Sequence, residues 1–100
     1  MFLYLRTSKP RAGSFFEALE FTKQAASQVT QQGGVKCEAF KHRFGDFNQV
    51  GVLAWFPSLA ELEAWHQKMD SHPELRAAAK SNAASLFIED STHETILEVV

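Results

Sequence analysis

The stretch Val50-Gly51-Val52-Leu53-Ala54-Trp55-Phe56, followed by Pro57-Ser58-Leu59-Ala60-Glu61, decides how this chain folds. Its first half, taken with Gln49, reads as a strand over 49–56. Val50, Val52, Ala54 and Phe56 fall on one face and Leu53 and Trp55 on the other, because strand side chains alternate with period two. Pro57 cannot donate to a sheet ladder and stops the strand. Ser58 with Glu61 three residues on is a capping box, so a helix starts there. Both faces of the strand are apolar. A sheet with one face in water keeps that face polar, so this strand has cover on both sides.

Working outward, residues 2–7 read as a strand and Lys9-Pro10-Arg11-Ala12-Gly13 as a turn. Ser14 and Glu17 form a capping box for a first helix, with Phe15, Leu19, Thr22, Ala26 and Val29 at helical spacing. Phe16, Ala18 and Ala25 widen that stripe, and Gly33-Gly34 ends the helix. Residues 35–44 read as a second strand, with Val35, Cys37 and Ala39 on one face and Phe40, His42 and Phe44 on the other. Gly45-Asp46 marks the turn into the strand over 49–56. The second helix carries Leu59, Leu62, Trp65, His66 and Met69 on one side. Ser71-His72-Pro73-Glu74 breaks it and, as a third capping box, restarts it. Leu75, Ala78, Ala79, Asn82 and Leu86 continue a weaker stripe. Ile88 to His93 reads as a polar loop and Thr95 to Val100 as a last strand.

The order is β-α-β-β-α-β in a single domain over 1–100. With short connections and right-handed crossovers it predicts an α+β, ferredoxin-like sandwich, a four-stranded antiparallel sheet with both helices on one face. The open face would carry large apolar side chains from at least three strands, more than a monomer leaves exposed. A second copy of the chain is the simplest cover, giving a homodimeric α+β barrel through the open sheet face. A face of roughly 1,000 Å² contributes about 25 kcal/mol before the entropy of association is subtracted.

Composition excludes several functions. Of 100 residues, 45% are apolar and 12% aromatic, nine of them Phe, a load that a disordered chain does not carry. The net charge of −2 and the lack of Lys or Arg from Asn48 to Phe56 argue against nucleic acid as a partner, although RNA-recognition domains share the element order. No apolar run reaches the ~20 residues of a membrane span, and the start of the chain lacks the basic and apolar regions of an export signal. A lone cysteine, Cys37, rules out an internal disulfide and fits a cytoplasmic location, where it reads as a small buried hydrophobe. His66 and His72 do not have the spacing that sets two imidazoles on one helical face, so no metal site is expected.

The chemically capable residues are Tyr4, Arg6, His42, Trp55, Trp65, His66 and His72, the last most simply a residue of the helix break. Tyr4 and Arg6 share a strand face, and the Arg6 guanidinium offers a forked donor to an anion. His42, between Phe40 and Phe44, is the candidate proton-transfer residue. Trp55, Trp65 and His66 are candidate walls of a pocket.

Three runs resemble the NIPSNAP family: Gly45-Asp46-Phe47-Asn48-Gln49-Val50, Leu53-Ala54-Trp55-Phe56 and Ser58-Leu59-Ala60. The Asp70-Ser71-His72-Pro73-Glu74 break and the early Tyr4-Leu5-Arg6-Thr7 strand are similar too. The likeness covers about residues 4–80 and is densest over 45–65; the chain departs at Phe56, where Tyr is common, and at Leu75, where Trp is common. The resemblance implies the dimeric α+β barrel superfamily. It implies no cofactor and no established reaction. The expected function is binding of a small hydrophobic or aromatic molecule. Relatives in the superfamily include cofactor-independent monooxygenases, haem-degrading enzymes and ligand-sensing domains, with oxygenation the expected reaction if there is one; the alternative is a non-catalytic dimerisation or interaction domain. Haem-degrading relatives share a tryptophan like Trp65, but their haem-ligating His falls where this chain has Leu75-Arg76, and their first-strand Asn has no counterpart in residues 2–8.

Overall fold

The computed structural model describes residues 1–44, 48–75, 77 and 85–100. Six elements follow one another: β1 (Phe2–Ser8), α1 (Phe15–Gly33), β2 (Cys37–Lys41), β3 (Val50–Phe56), α2 (Leu59–Asp70) and β4 (His93–Glu98). The chain is also helical at 73–75, at 77 and at 85–86. The strands form one antiparallel sheet in the order β2-β3-β1-β4, and the helices pack on one of its faces, the expected ferredoxin-like arrangement.

Register assigns the faces. The central pair runs from Phe2 opposite Phe56 to Ser8 opposite Val50, β4 joins with Tyr4 opposite Ile96, and β2 joins with Cys37 opposite Ala54. Directly paired residues share a face. Tyr4, Arg6, Cys37, Val50, Ala54, Phe56 and Glu94 therefore face the helices. There Tyr4, Ala54 and Phe56 pack with Leu62 and Trp65 of α2 into the core. Leu3, Leu5, Phe40, Leu53, Trp55 and Leu97 lie on the open face, where Trp55 is 50% and Leu97 46% exposed. Gly51 is on this side as well: a Cβ there would meet the Arg6 carbonyl oxygen at 2.2 Å and the Phe40 ring at 2.8 Å, so the Phe40 ring lies across the glycine.

Helix α1 buries Ala18, Thr22 and Ala26, one small residue per turn, which lets the helix axis approach the sheet closely. The Thr22 hydroxyl is satisfied by donating to the Ala18 carbonyl at 2.8 Å. Phe16 does not widen this stripe; it is 82% exposed. It lies two residues from Ala18, about 200° around the helix, on the far side from the sheet. The end of the helix does match expectation. Gly34 takes a left-handed conformation with φ 71°. Gly33 has a second task, since a Cβ there would sit 2.7 Å from the indole nitrogen of Trp65.

The three capping boxes fare differently. Ser58 accepts from the Glu61 amide at 3.2 Å and donates to the Glu61 carboxylate, so α2 starts as expected. Ser14 makes no side-chain cap; its amide bonds the Arg11 carbonyl instead, in the preceding turn. Ser71 closes α2 instead of opening the next helix, its hydroxyl donating to the Gln67 carbonyl at 2.8 Å.

Two strand boundaries move. β2 covers Cys37–Lys41 and not 35–44, although the His42 amide still reaches the Gln49 carbonyl at 3.1 Å. β4 begins two residues before the expected Thr95 and stops at Glu98. The β1–β4 ladder ends with Phe2 opposite Glu98, and beyond it the Val99 amide bonds the Met1 carbonyl. The segment read as a polar loop is tied down at its start: Phe87 bridges Pro10, and the Ile88 amide reaches the Lys9 carbonyl at 2.8 Å. The Gly45-Asp46 turn and Ala78, Ala79 and Asn82 lie outside the described residues.

Candidate functional site

Between the sheet, α1 and the segment around residue 87 lies a cavity of about 720 Å³. Tyr4 and Arg6 enter it from β1, Thr22 and Val29 from α1, and Trp65 and His66 from α2. A second hollow of about 510 Å³ opens between α2 and β4, with Leu62 and Gln67 on one wall and Glu94 and Ile96 on the other. Tyr4 and His66 line both spaces.

At that boundary three polar side chains converge. Helix periodicity sets His66 next to Trp65 at the edge of the buried stripe of α2. Sheet register sets Glu94 one strand away from Tyr4. The Tyr4 hydroxyl donates to Glu94 Oε2 at 2.5 Å, and His66 Nε2 lies 2.5 Å from the same oxygen. Tyr4 packs edge-on against Trp65 (centroids 5.2 Å apart) and against His66 (5.7 Å), so aromatic contacts hold both rings. Arg6 stands directly opposite Glu94 in the β1–β4 register.

The electrostatics follow from burial and these bonds. Burial pushes the Tyr4 phenol well above its ordinary value, and Glu94 pushes it further; Arg6 opposes this only in part. Tyr4 is therefore a neutral donor across the physiological range. Burial works against ionisation of Glu94 too, but the bonds from Tyr4 and His66 and the charges of His66 and Arg6 outweigh it. Its carboxyl titrates below the usual range and is a carboxylate at neutral pH. Cys37, also at the cavity wall, is pushed up to about 11 by burial and by Glu38, so it is a neutral thiol, as its reading as a small hydrophobe requires.

Of the residues singled out from the sequence, Tyr4, Arg6, Trp65 and His66 come together at the cavity. His42 and Trp55 do not join them. Trp55 projects from the open face, and the His42 ring stacks on Phe40, a residue of that same face, at 6.1 Å and 17°. Glu94 is not among those singled out, because the polar run before Thr95 reads as loop. No period-two signal marks the earlier start, since the same-face set Glu94, Ile96 and Glu98 mixes charged and apolar residues. Among the described residues, no group of His, Cys, Asp and Glu is arranged to hold a metal ion, and no helix is long and apolar enough to cross a membrane.

Similar folds occur in an uncharacterised NIPSNAP domain protein from Burkholderia xenovorans (TM-score 0.77, 16% identity, covering 100% of this chain and 95% of that one). A NIPSNAP family protein from Agrobacterium tumefaciens is comparable (TM-score 0.75, 18% identity, 99% and 92% covered). So is a putative antibiotic biosynthesis monooxygenase from Deinococcus radiodurans (TM-score 0.69, 12% identity, 100% and 93% covered). At these identities the likeness is one of fold. No curated protein matches the sequence. The NIPSNAP sequence profile matches residues 4–100, almost the whole chain, and with this fold and these neighbours the chain belongs to the NIPSNAP family.

Proposed function

We propose that the protein binds a small, largely apolar aromatic molecule carrying an anionic group, in the cavity between sheet and helices. The cavity itself carries this reading. At about 720 Å³ it falls inside the roughly 300–1,000 Å³ typical of small-molecule sites, with apolar wall from Phe21, Val29, Trp65 and Phe87 beside a polar rim that holds Arg6 and Arg11 as well as the carboxylates of Asp70, Glu89 and Asp90. Trp65 and Val29 supply apolar wall, and Arg6 supplies the cation for the anionic group. The same cavity suits a monooxygenase, the activity in the name of the Deinococcus radiodurans neighbour, and one that works without a cofactor if the bound aromatic molecule itself reduces dioxygen. We also propose that two copies pair through their open faces, in the cytoplasm, where the single thiol stays reduced. Leu3, Leu5, Leu53, Trp55 and Leu97 on one face of one sheet support the pairing. In such a dimer His42 and Trp55 belong to the covered face rather than to the ligand cavity.

Anilinonaphthalene sulfonate, an aromatic anion, tests the ligand reading by fluorescence titration. Saturable binding is expected, weakened about tenfold in Arg6→Ala, the lower end of what a charge-assisted hydrogen bond contributes. Trp55→Ala should leave the affinity alone. The reverse pattern would move the site to the open face.

A further inference from the structure

We propose that His66 is a general base that removes a proton from an enolisable aromatic α-keto acid held in the cavity. This rests on the ligand-binding reading above and adds a reaction and a substrate class to it. Four observations carry it. His66 lines both hollows, so its ring borders the space a ligand would fill. Its Nε2 is engaged by Glu94 Oε2, which in the neutral ring leaves the lone pair on Nδ1. Glu94, itself held by the Tyr4 hydroxyl, is then the third group that orients a base. Arg6, on the same sheet face and opposite Glu94 in register, is the partner for the substrate carboxylate and for the oxygen on which charge develops.

The step balances without a further reactant. The C–H bond beside the keto group breaks, its electron pair becomes the enolate double bond, and Nδ1 takes the proton. The resulting imidazolium stands against the Glu94 carboxylate. The proton then passes to the enolate oxygen, giving the enol, or returns to carbon. His66 and Glu94 are 38% and 41% exposed, so water reaches the pair and the imidazolium proton exchanges with solvent. His66 is the catalytic residue; Glu94 and Tyr4 are positioning residues.

Phenylpyruvate is the probe. In deuterium oxide, the intact protein should speed loss of its benzylic proton signals in the NMR spectrum above the buffer rate, saturably. His66→Ala, or His66→Gln if the alanine variant does not fold, should cut the rate by roughly 100-fold or more, the usual weight of a general base. Glu94→Gln should lower the saturated rate more than about tenfold without weakening phenylpyruvate binding, because an unoriented imidazole is a poor base. Glu94→Asp should recover part of the loss. A protein that binds phenylpyruvate yet exchanges it at the buffer rate overturns the proposal, and so does a His66 variant as fast as the parent. Binding of anilinonaphthalene sulfonate but not of phenylpyruvate overturns the substrate class, and the proposal with it. Failure to bind either probe overturns the ligand-binding reading itself.

Discussion

Glu94 is one carboxylate with two donors on a single oxygen, and that arrangement makes it sensitive to acid. Its carboxyl titrates lower in the folded chain than its ordinary value of 4.5. The unfolded chain therefore binds this proton more readily than the folded one, and stability rises with pH across the interval between the two values. The contribution is full above the unfolded value and is lost as pH falls through the folded one. Urea unfolding of the parent and of Glu94→Gln should accordingly differ by a margin that is constant from about pH 6 down to 5 and shrinks below 4.5. A margin that stays the same down to pH 3 would mean that Glu94 is not held as described. Tyr4 adds a second residue-scale point. A buried phenol kept neutral is a hydrogen-bond donor and not a base, so Tyr4 serves the site by holding Glu94.

At the scale of elements, two serines in equivalent sequence contexts behave differently. Ser14 and Ser58 each precede a helix and each have a glutamate three residues on. Only Ser58 caps with its side chain. Ser58→Ala should cost about 1 kcal/mol of stability, the usual worth of a side-chain N-cap, whereas Ser14→Ala should stay within about 0.5 kcal/mol. Equal losses at the two positions in urea titrations would contradict the difference. The cause lies in what precedes each serine. Pro57 leads into an extended Ser58, with φ −140° and ψ 156°, the usual N-cap backbone. Ser14 instead sits in a turn closed on Arg11, with ψ 12°, and its hydroxyl does not reach the helix amides.

For the whole molecule, the two sheet faces have different fates. The helix-side face is buried where α1 and α2 cover Tyr4, Ala54 and Phe56, while β4 stays exposed along its length, Ile96 on that side included; the open face keeps Trp55 and Leu97 about half exposed. Pairing through that face predicts a dimer mass by native mass spectrometry at micromolar concentration. Trp55→Glu should shift the protein to monomer by leaving a charge buried in the interface. A parent protein that is monomeric under those conditions would remove the explanation offered for the apolar open face. The cavity and the proton-transfer group lie on the other side of the sheet, so a folded Trp55→Glu monomer also separates pairing from ligand binding.

Much of the architecture was legible in the sequence. The period-two run ending at Phe56, the Pro57-Ser58 stop and start, and Gly33-Gly34 are local signals, and local backbone preferences settle them before any tertiary contact forms. The register that sets Tyr4 and Arg6 on one face also follows from alternation alone. The sequence could not say which residues end up opposite one another. Whether a strand runs to Val100 depends on how far its partner extends, and β1 begins only at Phe2. That same pairing brings Glu94 level with Arg6 and within a hydrogen bond of Tyr4, 90 residues away along the chain. His42 illustrates the limit from the other side. Its aromatic neighbours marked it as a candidate, but the parity of its strand turned it to the open face. Which side chains share a site was decided by long-range register and helix placement, which no short stretch of sequence encodes.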